Sequence, residues 1–481
     1  MRSPSEYRQS LRDGRKIHYR GARVEDVTIH PALRIAVDHA AIDYEMAEDP
    51  STRDLATVSL PDGRRISRYY HIPGSAQDLR DRSTLIEKAT ARGGTLVVLI
   101  KEIGTDALFA LHIVASQMDR LLGTGYLKRV ESFCSRCRDQ DLALAVAQTD
   151  VKGDRSLSPS EQDHPDYYVH KVRETSEGIV VRGAKIHTSV SVNANEIIVL
   201  PTRALQEKDR DYAVAFALPV ATPGLTLIAS PYGDSPKNAF EHPISSRHKM
   251  VETLTVFDDV FVPWERVFLN GEWQHAGVLA KAFVEFHRFT AVSYKLPLVD
   301  LLVGCGQLLS EINGIERAGH VREKMTWLVA YAETLRALTR MAAHECRVLD
   351  PGVAVPSVLL VNLAKWHFAS NYHRAVSLVQ DLSGGLLVTG PGEEDVQAPE
   401  VGDYIRKFLG GRKGVSAETR LKAMNLVRDL TASEFGGYQE VLAVHAEGSI
   451  EAEKLTIYRE ADVRRCRALA MQLAGINEEI K

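Results

Sequence analysis

The feature that most constrains the fold is a double change in sequence periodicity. From about Pro31 to Gln140 apolar residues recur at helical spacing, as in DALFALHIVASQMDRLL. Short segments rich in Val, Ile, Thr, Tyr and Phe then alternate with Gly, Pro, Asn and Asp as far as Gly271, which is typical of antiparallel strands. Long amphipathic helices with short joins follow, which is typical of a helical bundle. The order predicts an α+β protein with domains at 1–145 (helical), 146–272 (β) and 273–481 (helical bundle).

Composition narrows the class of protein. A chain of 481 residues with 44% hydrophobic and 25% charged residues fits an ordinary globular protein of two or three domains. The net charge of −4 gives no electrostatic footprint for nucleic acid. We found neither an apolar window of about 18 residues nor a secretory signal, so we expect no membrane span. Five scattered cysteines indicate a reducing compartment, so we expect a cytoplasmic protein.

Several common site motifs are missing. No Gly-x-Gly-x-x-Gly follows a strand, and no phosphate-binding P-loop occurs. Cys134 and Cys137 have metal-ligand spacing, but no second Cys or His pair lies near them in the sequence, which favours a structural role. The sequence therefore predicts neither a nicotinamide-binding domain nor a zinc site.

The stretch QTDVKGDRS, residues 148–156, follows the apolar run LALAVA and has two interpretations. It can be an exposed turn with surface ion pairs, which is the common fate of charged loops. It can also be a loop that cradles an anion, because Lys152 and Arg155 are positive and backbone N–H groups around Gly153 are able to approach one. The residues alone leave both interpretations open.

Longer strings carry a family resemblance. TDVKGDRSLSPSEQDHPD, GIVVRGAKIHTS, YAVAFALPVATPGL and VFDDVFVPWERVFL resemble the flavoprotein family of the 4-hydroxyphenylacetate 3-hydroxylases and 4-hydroxybutyryl-CoA dehydratases. The likeness runs from EYRQSLRDGRK to LSGGLLVTGP and SEFGGYQE, nearly end to end. It implies an acyl-CoA dehydrogenase-like fold, with an N-terminal helical domain, a central antiparallel β-barrel domain and a C-terminal helical bundle.

The resemblance also implies FAD as the cofactor. The loop after the first domain carries flavin contacts in this family, and the AKIHTS segment supplies further donors and acceptors. The FAD-lining residues implied in this way are Gln148, Thr149, Lys152, Gly153, Asp154, Arg155, His187, Thr188 and Ser189.

Residues at the positions of the dehydratase cluster argue against a metal centre. The resemblance places the three cysteine ligands of the dehydratase iron–sulfur cluster on Val98, Glu102 and Tyr294, and retains only the histidine, His287. Iron–sulfur clusters need thiolates. We therefore expect no cluster.

The hydroxylase substrate residues are also replaced. The Arg, Tyr and His that surround the phenol in the hydroxylases fall on Ile103, Ala107 and Val146. This puts phenylacetate in doubt as the substrate.

Five polar residues remain as candidates for catalysis: Glu252, His287, Arg288, Tyr294 and Lys295. His287 and Tyr294 are seven residues apart, so they share a helix face, and Glu252 opens a predicted strand. A histidine beside a carboxylate suits proton transfer near neutral pH. We expect the helix of His287 to face the β domain; the alternative is an interhelical polar cluster with a structural role only.

The function that the resemblance favours is an FADH2-dependent monooxygenase acting on an aromatic or related small molecule. Such a site must exclude water, and His287 would deprotonate or orient the substrate. Reduced flavin would come from a separate reductase, and the chain would assemble as a homotetramer or homodimer through its C-terminal helices. The alternatives are a cluster-free dehydratase or isomerase acting on an acyl-CoA, and a flavoprotein scaffold without catalysis.

Overall fold

The computed structural model describes residues 1–233 and 237–476. The elements up to residue 143 are α1 (Pro4–Ser10), β1 (Ile17–Tyr19), β2 (Ala22–Val24), α2 (Arg34–Ala40), α3 (Ile42–Glu48), α4 (Arg53–Ala56), β3 (Thr57–Ser59), β4 (Arg65–Ser67), α5 (Ala76–Arg92), α6 (Glu102–Leu122) and α7 (Tyr126–Asp139). The central strands are β5 (Leu144–Ala147), β6 (His170–Glu174), β7 (Gly178–Lys185), β8 (Glu196–Val199), β9 (Val214–Pro219), β10 (Leu225–Ala229), β11 (Thr253–Pro263) and β12 (Val267–Asn270).

The remainder of the described chain is helical apart from one hairpin. Its elements are α8 (Trp273–Tyr294), α9 (Leu296–Asn313), α10 (Gly319–His344), β13 (Arg347–Leu349), β14 (Val353–Val355), α11 (Val358–Ser383), α12 (Leu386–Thr389), α13 (Glu393–Gln397), α14 (Pro399–Phe408), α15 (Ala417–Thr431), α16 (Glu434–His445), α17 (Ile450–Glu460) and α18 (Val463–Leu473). The predicted order of helices, then strands, then helices is confirmed.

The central strands form two open sheets rather than the predicted antiparallel barrel. One sheet has the order β2-β1-β10-β11-β7-β6 and the other β12-β9-β8-β5, and neither closes among the described residues. Both contain a parallel pair, β1 with β10 and β5 with β8. The first pair brings Ile17 opposite Leu227, so strands from the N-terminal region extend the central sheet. Such long-range pairing leaves no local mark on a three-residue strand.

Helix α6 is the buried axis that joins the helical layers to the sheets. Its sequence, EIGTDALFALHIVAS, is apolar on nearly every face, and it packs along α8 and against β5. A Cβ at Gly104 would lie 2.1 Å from the Cβ of Leu144, so glycine is required for this close approach. The packing places the few polar residues of α6 in the interior.

Helices α8 and α9 form the core of the C-terminal bundle. The run Trp273–Asn313 has the length and mean hydropathy (1.2) of a membrane span, contrary to the expectation from the sequence, but 67% of its most apolar window is buried within the protein. Lys295 separates the two helices and Pro297 stands in the first turn of α9. The junction therefore places Tyr294 and Lys295 at a corner of the core.

Helix α17, near the end of the bundle, is attached to it in a different way from α8 and α9. A short link over 446–449 joins α16 to α17, with φ of +60° at Glu447 and +110° at Gly448. Helix α17 lies along α11, and the only residue of α17 that is buried is Glu453. A charged residue, rather than an apolar face, therefore anchors this helix.

Candidate active site

The two segments predicted to line the cofactor lie side by side. The carbonyl of Thr149 accepts a hydrogen bond of 2.9 Å from the N–H of Ile186, just before His187. Asp150 and Lys185 form a buried ion pair of 2.8 Å beneath them. This pair joins the exit of β5 to the end of β7, so residues 148–155 and 187–189 form one surface.

Gly153 has a packing role within its loop. Its φ is +53°, and a Cβ would lie 2.4 Å from both Gln162 Oε1 and Tyr167 Cδ2. The N–H of Asp154 donates to Gln162 Oε1 at 3.0 Å, and the N–H of Lys152 to the Tyr167 carbonyl at 3.4 Å. The expectation that the amides around Gly153 are free for an anion is wrong for these two, because they are used inside the loop.

The side chains of the loop retain an anion-binding character. Burial, with the nearby charges of Arg155 and Arg203, lowers the pKa of Lys152. Burial and the charge of Lys152 lower the pKa of His187, whose φ is +55°. Within the described residues no carboxylate pairs with Lys152, Arg155 or Arg203 at ion-pair distance. This group of cations fits a diphosphate or another polyanion.

The remaining residues predicted to line the cofactor differ in how accessible they are. Gln148 and Thr149 are half-buried, and Asp154 turns back to accept from Ser156 N–H at 2.9 Å. Thr188 is buried, and its hydroxyl accepts a 3.0 Å hydrogen bond from Thr255 within a group of core hydroxyls. Thr188 is therefore part of the β-domain core, and the open positions are those of Gln148, Thr149 and His187.

Ser189 connects this surface to an acid. Its hydroxyl lies 2.8 and 3.0 Å from the two carboxylate oxygens of Glu252, which stands immediately before β11, as expected. Tyr438 of α16 donates to the same carboxylate at 2.8 Å and stacks on Tyr232 with ring centroids 4.3 Å apart. Burial raises the pKa of Glu252 to about 7, although both hydrogen bonds oppose the shift. Glu252 can therefore gain or lose a proton near neutral pH.

Glu447 joins two of the predicted catalytic residues. Its carboxylate lies 2.9 Å from Lys295 Nζ, accepts from the Tyr294 hydroxyl, and lies 3.7 Å from Lys365. Burial favours the neutral acid, but Lys295 and Lys365 outweigh it and hold the pKa of Glu447 at about 2. Burial lowers the pKa of Lys295 to about 8. The cluster therefore combines a fixed anion with a lysine that titrates close to neutrality.

Arg288 has a supporting place in the same region. It is buried and donates from Nε to the Glu447 carbonyl at 2.9 Å and from Nη1 to Asn362 at 2.6 Å. A Cβ at Gly448 would lie 2.5 Å from Arg288 Nη2, so the guanidinium packs directly under the link. Arg288 holds the backbone that presents Glu447.

His287 meets the N-terminal helices, not the β domain. Its Nδ1 lies 3.2 Å from Asp106 Oδ2 on α6, and its ring stacks on Phe283 at 5.2 Å. The prediction that this helix faces the β domain is wrong at His287, because α8 packs mainly against α6. The positive charge of His287 would help to keep Glu447 ionised, so the two groups lie within electrostatic reach.

Asp106, Tyr438 and Glu447 are site residues that sequence reasoning missed. Asp106 had a signal, since it is an acid in the interior of a largely apolar helix. Tyr438 lies in the SEFGGYQE string, whose sequence does not indicate a partner for it. Glu447 had no local signal, because a single acid beside glycine is typical of an ordinary surface turn.

The residues at the dehydratase ligand positions do not fit an iron–sulfur cluster. Val98 is buried, Glu102 accepts from the Lys101 N–H at 3.1 Å, and the Tyr294 hydroxyl is bound to Glu447. The group that faces His287 Nδ1 is the Asp106 carboxylate, and no thiolate contacts this histidine in the part of the chain that the structure describes. Thiolates are the ligands that such clusters require, so these residues would not hold one.

Family models match almost the whole described chain. The N-terminal model of 4-hydroxyphenylacetate 3-hydroxylase matches residues 3–269 and the C-terminal model matches residues 276–475. The chain belongs to the 4-hydroxyphenylacetate 3-hydroxylase family.

Relatives within this family carry two kinds of name. The chain is 32% identical to a 4-hydroxybutyryl-CoA dehydratase/vinylacetyl-CoA-Δ-isomerase of Clostridium aminobutyricum over 99% of this chain and 100% of that protein. It is 31% identical to the oxygenase component of 4-hydroxyphenylacetate 3-monooxygenase of Thermus thermophilus over 100% and 99%.

Solved structures of a dehydratase and of an oxygenase component both superpose closely on this chain. An oxygen-tolerant archaeal 4-hydroxybutyryl-CoA dehydratase from N. maritimus gives a TM-score of 0.93 at 31% identity, covering 100% of this chain and 96% of that one. The oxygenase component of 4-hydroxyphenylacetate 3-monooxygenase complexed with FAD gives 0.90 at 29% identity, covering 99% and 100%. The fold alone therefore does not separate the two chemistries.

Proposed function

We propose that the protein is an FADH2-dependent monooxygenase, the oxygenase component of a two-component system that hydroxylates an aromatic or related small molecule. The observation that carries the proposal is the continuous path from the cationic loop, through Ser189, to Glu252 with its pKa of about 7. Relatives named as oxygenase components support it, among them an FADH2-dependent monooxygenase of Burkholderia cepacia.

Bound reduced FAD would supply the electrons that activate O2. Lys152 and Arg155 would bind its anionic part, and Gln148, Thr149 and His187 would contact its polar edges. Glu252 would hold or release a proton beside Ser189, and His287 would take the proton of the substrate hydroxyl at Nε2. Burial of the surrounding helices would exclude water. Arg288 would keep Glu447 in place.

The substrate is not expected to be 4-hydroxyphenylacetate. Ile103, Ala107 and Val146 are buried and apolar, so no polar group meets a phenol at these positions. A different hydroxyl-bearing molecule, oriented by His287 and Glu252, fits the polar groups that remain.

A second function has one observation in its favour. Glu252 and Lys295, with pKa values of about 7 and about 8, would each be able to move a proton next to a thioester carbonyl without O2. A cluster-free isomerase acting on an acyl-CoA would use them in this way, in keeping with the dehydratase/isomerase relative.

The deciding experiment compares the two chemistries on one preparation. Protein loaded with photoreduced FAD is mixed with O2 and a panel of substituted phenols that includes 4-hydroxyphenylacetate and 4-nitrophenol, and hydroxylated product and free H2O2 are measured. A parallel anaerobic assay offers vinylacetyl-CoA. We expect O2-dependent hydroxylation; anaerobic isomerisation without O2 uptake would instead establish the second function. Iron and sulfide analysis of anaerobically purified protein is expected to be blank.

The proposal extends to partners and location. A separate reductase would supply reduced flavin, and a homotetramer or homodimer would cover the apolar residues that α17 and α18 leave open, such as Leu455 (73% exposed) and Leu473 (80%). The five cysteines are free, which suits a cytoplasmic protein.

A further inference from the structure

The Asp106 carboxylate divides its two oxygens between different partners. Oδ1 lies 2.7 Å from Arg82 Nη2 on α5 and accepts from the Thr290 hydroxyl at 3.0 Å. Oδ2 lies 3.2 Å from His287 Nδ1. The side chain of Asp106 is 1% exposed and that of Arg82 is 5% exposed, so the arrangement is shielded from solvent.

We propose that Asp106 is a positioning residue for the reaction, which it serves by fixing the tautomer and orientation of the His287 ring. A carboxylate paired with a guanidinium can only accept hydrogen bonds, so Nδ1 of His287 must carry the proton. Nε2 is then left with its lone pair, ready to accept a proton from a substrate hydroxyl. This inference rests on the proposed function for the use made of Nε2, but the tautomer itself does not.

Pairing with Arg82 does not by itself account for this geometry. Arg82 also donates to the Glu102 carbonyl at 2.9 Å, the Thr105 hydroxyl at 2.9 Å and the Tyr69 carbonyl at 3.3 Å. The guanidinium therefore needs only one oxygen of Asp106. The second oxygen is directed at His287, whose ring is stacked on the ring of Phe283 at an interplanar angle of 12°.

The charges around His287 favour the same arrangement. Asp106 and Arg82 approach from α6 and α5 and neutralise each other, whereas Glu447 approaches from the 446–449 link. A proton accepted at Nε2 would create an imidazolium between two carboxylates, Asp106 and Glu447. Because Nδ1 already donates to Asp106, the incoming proton would go to Nε2.

The test is Asp106→Asn, for which the structure predicts a defined geometry. Arg82 and Thr290 both donate to the Oδ1 position, so the amide oxygen will settle there. The amide NH2 must then face His287 Nδ1 and force the proton to Nε2. The variant keeps the shape of the side chain while it inverts the tautomer, as the equivalent substitution does in serine proteases.

Asp429→Asn is the matched control. The Asp429 side chain is 0% exposed, accepts from Ile244 N–H at 2.9 Å, and has a histidine, His242, at 3.5 Å, but it lies outside the site. This variant measures how much folding is affected when one buried carboxylate charge beside a histidine is removed.

Two readouts are made on FAD-loaded protein. The first is the 15N spectrum of histidine-labelled protein, in which His287→Gln identifies the signal: wild type should show Nδ1–H and Asp106→Asn Nε2–H. The second is turnover of 4-nitrophenol, or of whichever panel phenol the wild type hydroxylates, against pH. We expect Asp106→Asn to lose roughly 10²- to 10⁴-fold in turnover across the pH range, because the proton then sits on Nε2.

The outcomes separate this inference from the proposed function. An unchanged tautomer, wild-type turnover, or a loss matched by that of Asp429→Asn after correction for folded protein would each overturn the positioning role. If wild type hydroxylates no phenol but the tautomer inverts as expected, the proposed function fails while the assignment of Asp106 as the residue that orients His287 stands.

Discussion

His287 and Glu447 lie in the same site but are held in opposite ways. His287 and Asp106 stand on long helices, α8 and α6, whose surroundings are apolar and closely packed. Glu447 stands on a short link in a left-handed conformation, and charges hold it: Lys295, Lys365 and the guanidinium of Arg288. The first group is preorganised by the core, whereas the second depends on ion pairs to stay in position.

This difference predicts that substitutions at the two residues affect activity and stability to different extents. Removing His287 leaves the Asp106 charge paired with Arg82, so the fold loses little. Removing Glu447 leaves the fully buried Lys295 without its 2.9 Å counter-charge and leaves Lys365 with Glu453 alone, at 3.4 Å. Substitutions on the His287 side should therefore act on chemistry, and substitutions on the Glu447 side on both stability and chemistry.

The largest expected effect is that of His287→Ala on turnover. Loss of one acid–base group should lower turnover by roughly 10²- to 10⁴-fold. Since Asp106 keeps its partners, the melting temperature and FAD affinity should stay near wild type. Product formation and a thermal melt on the same preparation decide the point: a lowered melting temperature with normal turnover per folded molecule would mean that His287 is only structural.

Glu447→Ala should cause the largest loss of stability. Leaving a buried charge unpaired costs about 3 to 5 kcal/mol, and the charge at stake is that of Lys295, because Lys365 keeps Glu453. Urea unfolding measures the loss. Glu451→Ala is the control, since Glu451 is an exposed acid of α17 whose ion-pair partner among the described residues is Lys454. Equal midpoints for the two variants would contradict the view that ion pairs hold the link.

Acid should weaken the Glu447 side selectively. The pKa of Glu447 is about 2 in the folded protein, against an ordinary value of 4.5. Its contribution is therefore complete above pH 4.5 and is lost as the pH falls toward 2, a change of about 3 kcal/mol at full protonation. Unfolding free energies between these pH values should fall more steeply for wild type than for Glu447→Gln, and parallel slopes would rule this out.

The smallest expected effect is on cofactor binding. Arg155 has no carboxylate partner among the described residues, so it is free for an anion, and Arg155→Ala should weaken FAD binding by about 1 to 3 kcal/mol. Lys208, an exposed cation already paired with Glu161 at 2.6 Å, provides the control substitution. Titration calorimetry with unchanged affinity for Arg155→Ala would remove the loop from the cofactor site.

The features that could be predicted from the sequence are those that depend on neighbouring residues in the chain. Hydrophobic periodicity predicts the order of helices and strands. A short run of alternating residues predicts the position of Glu252 at the start of β11. The pairing of β1 with β10 could not be seen, because the registers of Ile17 and Leu227 are set by tertiary packing. The pairing extends one of two open sheets, where the sequence predicted a barrel.

The same distinction applies to the site. The sequence offered His287, Tyr294 and Lys295 as polar residues on one helix, but it could not say which acids they meet. Their partners, Asp106 and Glu447, lie 181 and 153 positions away from His287 and Tyr294, respectively. Charge pairing between residues so far apart can be suspected from the sequence when an acid stands in a largely apolar helix. Asp106 meets this condition, whereas Glu447, which lies in a link between helices, does not.

The link over 446–449 ties the end of the bundle to the stability of its core. A break in the chain there would leave both sheets, α5, α6 and α8 covalently intact, but it would free the acid that balances Lys295. A buried lysine without its counter-charge destabilises the packing around it, so a nick in this short segment would weaken helices far from it in the sequence.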